Sequence, residues 1–274
     1  MPVRLRSAAS KPAAATSGDT GWEDAPLDFT SRSCHVNIYG DTGTGRTRLA
    51  LTMPGPIALA HTNEKIDGLI QQFAREKKIK VFNFGGSFRG SPEAISNQAQ
   101  PIWSRMSNSW YDAVDNWARC VVMDTETEGW ELLRLARFGE LNPQGRTESL
   151  YGPVNAEWIS HFKRHKMLPP SRVCSIVSIS QSKDEYKDVT KNGRKSSERT
   201  GNTIRAGQKG IPFAADVIIR TSKRYDREKG TVFTATVEKG WWNALSEGTE
   251  FENDDCRLPY ILALITETEE EEWL

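Results

Sequence analysis

The sequence predicts an α/β fold, in which a mostly parallel central sheet carries helices on both faces. Short apolar runs with the composition of strands alternate along the chain with segments whose apolar residues recur every three or four positions. One run, residues 120–123, is apolar throughout, as expected of a parallel strand buried on both faces. A chain of 274 residues is long enough for one such domain with appendages.

The first predicted elements follow one another closely. Residues 35–39 are predicted to form a strand that leads into a glycine-rich turn, and the helix predicted over 46–52 ends at a Pro-Gly-Pro sequence. Residues 57–60 form a short apolar run, typical of a buried strand. Apolar residues at helical spacing predict a helix over 66–77, and a strand over 80–84 is closed by a Gly-Gly pair.

The central elements continue the alternation. An aromatic stripe at helical spacing between residues 103 and 117 predicts a helix, and such a stripe more often fills a core than stacks on a cofactor. The strand over 120–123 follows and ends in an aspartate. Helices are predicted over 130–138 and 154–166, with a strand over 172–180 after them.

The domain is predicted to span residues 31–264, with strands over 217–221 and, at the sheet edge, 231–237. Residues 1–30 are rich in Ala, Ser, Pro, Gly and Thr, which predicts a flexible arm that has too little apolar surface to fold. Residues 265–274 form an acidic tail, which like-charge repulsion is expected to keep solvated and mobile. This tail is either an inert solubilising segment or a docking site for a protein partner.

Composition narrows the class of protein further. Lys+Arg and Asp+Glu number 36 each, so the net charge indicates no partner. The four cysteines lie far apart without a CxxC pair, which favours buried reduced thiols over disulfides or zinc ligands. The sequence has neither a run of 18 apolar residues nor an apolar signal region, so we expect a soluble cytoplasmic protein with no membrane partner.

A phosphate-binding loop is predicted directly after the first strand. The GxxxxGK[ST] pattern works because glycines let backbone N–H groups surround phosphate oxygens, while the hydroxyl residue holds Mg²⁺. Arg46 stands where the pattern has lysine, and it keeps the charge on a planar, bulkier group. Phosphate binding is therefore the prediction, and efficient γ-phosphate transfer is an open question. The residues of this loop are Gly40, Asp41, Thr42, Gly43, Thr44, Gly45, Arg46 and Thr47.

Polar residues at later strand ends complete the predicted site. Asp124 ends the apolar strand and would share the Mg²⁺ shell with Thr47. Glu64, after the second strand, is the first choice for the group that positions or deprotonates water, and Glu126 and Glu128 are the alternatives. Gln181 ends the next strand, where its amide would touch the γ-phosphate.

With these motifs in this order, the chain resembles the RecA-like recombinase ATPases, in particular the compact phage proteins that accompany single-strand annealing. The resemblance implies ATP and Mg²⁺ as cofactors, single-stranded DNA as partner, and a homo-oligomer, ring or filament, with nucleotides between subunits. A phage origin would place the protein in the host cell cytoplasm. The resemblance also assigns Lys239 to the nucleotide of a neighbouring subunit, with Lys223 and Arg224 behind it, and the phosphate loop is its only specific motif.

That family carries a disordered DNA-binding loop after the strand that ends in Gln, and residues 183–209 match it in position. The segment would bind phosphate backbone without sequence preference, and a solvated mobile loop is the alternative. A protein that binds nucleotide without hydrolysing it, acting as a DNA-associated or assembly subunit, remains the second functional reading because of Arg46. The predicted DNA-binding residues are Lys183, Lys187, Lys191, Arg194, Lys195, Arg199, Arg205 and Lys209.

Overall fold

The computed structural model describes residues 33–62, 64–142, 148–191, 194–243 and 246–274. The predicted flexible arm over residues 1–30 lies outside these residues. Within them, no helix is both long and apolar enough to cross a membrane. Their cysteines are all free thiols, and Cys34, Cys120 and Cys174 are buried, as the sequence predicts.

One sheet organises the described chain, and its nine strands run in the order β3-β2-β4-β5-β1-β7-β8-β9, with β6 paired to β5. Neighbours among β1 to β5 and β7 are parallel, while β6, β8 and β9 each run antiparallel to the strand before them. The strands are β1 (His35–Gly40), β2 (Ile57–His61), β3 (Ile79–Asn83), β4 (Cys120–Asp124), β5 (Ser175–Lys191), β6 (Arg194–Arg205), β7 (Val217–Asp226), β8 (Gly230–Gly240) and β9 (Glu250–Glu252).

Helices cover both faces of the sheet and create two separate cores. Residues of α1, α2 and α7 pack in one core, and residues of α3, α4 and α5 pack in the other. The aromatic stripe is core, as predicted: Trp103, Met106 and Trp110 are buried there. The predicted α/β class, a mostly parallel central sheet with helices on both faces, is confirmed. The helices are α1 (Arg46–Ala50), α2 (Asp67–Ala74), α3 (Pro92–Asp112), α4 (Glu126–Phe138), α5 (Glu148–Lys163), α6 (Ile211–Ala214) and α7 (Leu258–Thr266).

Two strands continue well past the edge of the sheet and turn back as antiparallel hairpins. The parallel part of β5 ends at Gln181, opposite Gly40, and residues 182–191 then pair with β6. Ten residues of strand extend about 30 Å. Similarly, β7 passes Gly40 at Thr221 and continues to Asp226 in its pairing with β8. The sequence predicted both strands correctly up to the sheet edge and missed their extensions.

The acidic C-terminal segment packs on the domain, so the prediction of a mobile tail was wrong, although most of its glutamates are exposed to solvent as predicted. Residues Glu270–Trp273 form a 3-10 turn, and the Glu269 and Glu272 side chains cap its start. The Trp273 side chain is only 4% exposed and joins the core beside α7. Burial of one large aromatic side chain outweighs the modest repulsion between exposed carboxylates.

Candidate nucleotide site

The predicted phosphate loop joins β1 to α1 and is held by the neighbouring strand β7. Gly43 and Gly45 have φ angles of 77° and 87°, a region that favours glycine. A Cβ placed on Gly40 would lie 2.3 Å from the carbonyl oxygen of Thr221, so only glycine allows this approach. Thr44 Oγ1 donates to the carbonyl oxygen of Asp41 at 2.7 Å and lies 2.7 Å from Thr221 Oγ1. The loop conformation therefore depends on its own glycines and on β7.

Thr47 and Asp124 meet as the sequence predicts for a magnesium site. Thr47 Oγ1 donates to Asp124 Oδ2 at 2.6 Å, although the two residues are 77 positions apart. Burial raises the pKa of the Asp124 carboxyl, while the Thr47 hydrogen bond and the Arg46 charge oppose that rise. The described residues contain no cluster of three His, Cys, Asp or Glu that could hold a metal. Mg²⁺ in nucleotide sites usually binds one or two protein oxygens, and phosphates and water complete its coordination. The hydroxyl of Thr47 and the carboxylate of Asp124 could supply those protein oxygens.

Arg46 lies along the ends of β4 and β5. Its Nη1 donates to the carbonyl oxygen of Ser180 at 2.7 Å. Burial lowers the pKa of the guanidinium, whereas the charges of Asp124, Asp41 and Glu128 raise it. The residue that replaces the usual P-loop lysine is thus already engaged by a strand end.

Of the three acids considered for water activation, the structure brings Glu128 to the site. The Thr62 and Thr125 hydroxyls both donate to Glu128 Oε2, the latter at 3.1 Å. Glu126 is fully buried and forms an ion pair with Arg205 at 3.1 Å. The alternative that Glu126 activates water was therefore wrong. Glu64 begins a 3-10 turn after β2, and its side chain lies outside the described part of the chain.

Gln181 lies where the sequence predicts, at the last parallel position of β5. Its N–H donates to Thr127 Oγ1 at 3.2 Å, and its carbonyl accepts from Ala206 N at 2.7 Å. The next residue, Ser182, donates through its hydroxyl to Asp41 Oδ1 of the phosphate loop. The phosphate loop and the base of the β5–β6 hairpin are therefore in direct contact.

These groups surround a cleft with a volume of about 1190 Å³, large enough for a nucleotide. Its lining includes the phosphate loop, Asp124, Glu128 and Gln181, together with Phe233 and Cys256. The sequence pattern does not single out Phe233 as a site residue. Apolar alternation along β8 identifies the strand, but only the pairing with β7 shows which face meets the loop.

Lys239 is not brought to this cleft. Because β8 runs antiparallel to β7, Lys239 pairs with Ile218, at the sheet edge opposite the phosphate loop. Its Nζ donates to the carbonyl oxygens of Pro212 and Ala215, at 2.9 and 2.5 Å. In this chain the Lys239 ammonium therefore holds the turn that precedes β7, and its assignment to the nucleotide of a neighbouring subunit stays a prediction.

The described residues on both sides of positions 192–193 form the paired strands β5 and β6, so the prediction of a disordered loop was wrong for them. Lys183 and Lys187 are exposed on β5, and Lys209 is exposed after the hairpin. Arg199 forms an ion pair with Asp184. Arg205 is nearly buried against Glu126 and is a structural residue. The side chains of Lys191, Arg194 and Lys195 lie outside the described residues.

Fold and site together define a class, an α/β protein with a glycine-rich loop between its first strand and first helix, at the carboxyl ends of parallel strands. No protein-family model and no curated protein matches the sequence. Among solved structures, the chain is similar to the flagellar accessory protein FlaH from Methanocaldococcus jannaschii, with 9% sequence identity and a TM-score of 0.34. The similarity covers 80% of this chain and 84% of that chain. The functional interpretation therefore depends on the residues of the cleft.

Proposed function

We propose that this protein binds ATP with Mg²⁺ in the cleft around residues 40–47 and binds single-stranded DNA through the β5–β6 hairpin. The contact that carries the proposal is the 2.6 Å hydrogen bond between Thr47 Oγ1 and Asp124 Oδ2. This contact places a hydroxyl and a carboxylate beside a glycine loop, and Mg²⁺ bound to nucleotide phosphates uses such a pair. The fold supports the proposal because the carboxyl ends of the parallel strands lie at this edge of the sheet.

Within this proposal the cleft residues have separate roles. Backbone N–H groups of the loop bind phosphate oxygens, and Thr47 and Asp124 hold Mg²⁺, which neutralises charge on the phosphates. Glu128, held by two threonine hydroxyls, orients the attacking water. Gln181 reaches the γ-phosphate from the end of β5. Hydrolysis to ADP and phosphate is part of the proposal.

The DNA-binding part depends on the charge distribution along the hairpin. Exposed Lys183 and Lys187 lie on β5, and the sequence concentrates Lys191, Arg194 and Lys195 around the turn. Cations in such a row bind phosphate backbone without sequence preference and release counterions, so the affinity falls steeply with salt. A role in recombination or annealing, in a homo-oligomer, is the biological setting that this proposal favours.

Two binding measurements test the proposal. A fluorescent ATP analogue is titrated against the wild type, Thr47→Ala and Asp124→Asn, with Mg²⁺ and with EDTA. The wild type should bind more tightly with Mg²⁺, and both variants should lose that difference. Absence of nucleotide binding in the wild type would refute the nucleotide site.

Fluorescence anisotropy with labelled single strands tests the hairpin. The triple variant Lys191→Gln, Arg194→Gln, Lys195→Gln should weaken DNA binding and flatten its salt dependence. A matched control removes charge elsewhere, at the exposed residues Lys78, Lys163 and Lys229. Equal loss in the two triple variants would reject the hairpin as the DNA site.

A second functional reading, a nucleotide-binding subunit that does not hydrolyse, is favoured by one observation. Arg46 donates to the Ser180 carbonyl oxygen, so the P-loop cation is engaged away from the transferred phosphate. Phosphate release under saturating single-stranded DNA separates the readings, because sustained turnover excludes the non-hydrolysing subunit. Arg46→Lys should raise turnover if arginine limits the reaction.

A further inference from the structure

The P-loop pattern supplies a cation beside the β- and γ-phosphates, and in this chain the Arg46 guanidinium is already engaged by the protein. The guanidinium donates to the Ser180 carbonyl oxygen at the β5 side of the loop. There the guanidinium is partly buried and interacts electrostatically with the carboxylates of Asp124, Asp41 and Glu128. A planar guanidinium is also a poor geometric substitute for an ammonium group that moves between two phosphates.

Lys223 approaches the loop from the opposite side, on the extension of β7 beyond the sheet. A Cβ placed on Gly43 would lie 3.3 Å from Lys223 Nζ. Two residues before it, Thr221 touches Thr44 of the loop, and side chains two apart on a strand share a face. Its cross-strand partner Phe233 lies 3.7 Å from the Cβ position of Gly45. The β7–β8 hairpin therefore presents this face to the loop.

Unlike Lys223, three other cations among the described residues of the β7–β8 hairpin form salt bridges with carboxylates. Arg220 pairs with Glu238, Arg224 with Glu250 and Glu252, and Lys229 also with Glu252. Within the described residues, no carboxylate forms a salt bridge with the Lys223 ammonium, which is exposed. Its charge is thus available to an anion bound in the loop.

We propose that Lys223 replaces the missing P-loop lysine: its ammonium binds the β- and γ-phosphate oxygens of the nucleotide within the same chain. The proposal rests on the nucleotide site proposed above and adds the residue that supplies the charge. Lysine suits the position because it is a compact point charge with three donors on a flexible stem. Binding of the triphosphate would also pull the β7–β8 hairpin onto the loop and narrow the cleft.

The test is a cycle of charge-neutral and charge-restoring variants, measured as the Kd of a fluorescent ATP analogue with Mg²⁺. Lys223→Gln should weaken binding about tenfold to a hundredfold, the usual range for one charge-assisted hydrogen bond. Lys229→Gln, which removes one charge from the same hairpin away from the loop, should stay within about twofold of the wild type. Lys223→Arg should retain part of the affinity because it keeps the charge.

The double variant Lys223→Gln, Arg46→Lys provides the decisive measurement. A lysine restored to the loop should recover the affinity lost in Lys223→Gln, because it supplies the charge from the usual position. Equal Kd values for Lys223→Gln and Lys229→Gln would overturn the proposal, and so would failure of the double variant to bind better than Lys223→Gln. If neither the wild type nor Arg46→Lys binds nucleotide, the nucleotide site itself is refuted, which is a distinguishable result.

Discussion

Arg205 has different roles in the sequence and in the structure, a DNA contact in the first and a structural ion pair in the second. A single substitution distinguishes the two roles. The sequence places it among the DNA-binding residues, whereas the structure places its guanidinium against buried Glu126. The side chain is only 10% exposed and also donates to Ser180 Oγ and to the Gln208 carbonyl oxygen. Arg205→Met keeps the volume of the stem and removes these interactions together with the charge.

The expected cost follows from what remains around Glu126. Breaking a buried ion pair by removing one partner costs about 3–5 kcal/mol, because the other charge stays buried without compensation. Ser180 Oγ, Trp158 Nε1 and Gln208 N still donate to the carboxylate, at 3.0, 3.3 and 3.3 Å. These donors place the expected loss at the lower end, about 3 kcal/mol, or roughly 6–12 °C in Tm for a domain of this size.

The stability lost in Arg205→Met is expected to depend on pH through the ionisation of Glu126. Burial raises the pKa of Glu126, and Arg205 opposes that rise, so the pKa rises further in Arg205→Met. A carboxyl whose pKa is raised by folding stabilises the folded state at low pH and loses that contribution as pH rises through the folded pKa. Urea unfolding should therefore show a larger loss at pH 8 than at pH 5. The double variant Glu126→Gln, Arg205→Met should be more stable at pH 8 than Arg205→Met alone. Unchanged unfolding together with weakened DNA binding would show that Arg205 is a DNA contact.

Two further predictions concern the magnesium ligand and the C-terminal segment. Because burial raises the pKa of Asp124 and Mg²⁺ binds the carboxylate, the Mg²⁺-dependent part of nucleotide affinity should fall on acidification at a pH above the usual aspartate range. Asp124→Asn should abolish that pH dependence in the same titration, and a wild-type profile without it would contradict the assignment. Trp273→Ala should cost about 3–5 kcal/mol in urea unfolding, whereas Leu274→Ala, at a residue 52% exposed, should change little. A loss below about 1 kcal/mol for Trp273→Ala would mean that the tail is not packed in solution.

The sequence predicted the fold and the centre of the site because both depend on short-range signals. Apolar runs mark parallel strands, and the carboxyl ends of such strands meet at one sheet edge. Asp124 and Gln181, at strand ends, therefore come together with Thr47 at the start of α1, even though the three residues are far apart in the chain. No tertiary information beyond strand direction is needed for that part.

The remaining assignments depended on pairing partners that a linear pattern does not show. Asn192-Gly193 is a strong hairpin signal, but the glycines and mixed charges around it also fit a mobile loop. Arg205 and Lys239 are ordinary basic residues in sequence, and only the fold brings them to Glu126 and to backbone carbonyls. Near the C-terminus, the run of glutamates predicted a solvated segment, whereas burial of the single residue Trp273 decides where the segment lies.

An ordered hairpin changes how nucleotide and DNA could be coupled. A disordered loop responds to nucleotide by folding, whereas a paired hairpin anchored by the buried Glu126–Arg205 ion pair moves as a body. Its first residue, Ser182, contacts Asp41 of the phosphate loop, and on the other side Thr221 contacts Thr44. A shift of the loop therefore acts on both hairpins at their bases. Under the proposed DNA-binding role of the β5–β6 hairpin, a small rotation at its base would displace the outer residues of β5 and β6 by a larger distance and so carry a signal from nucleotide to DNA.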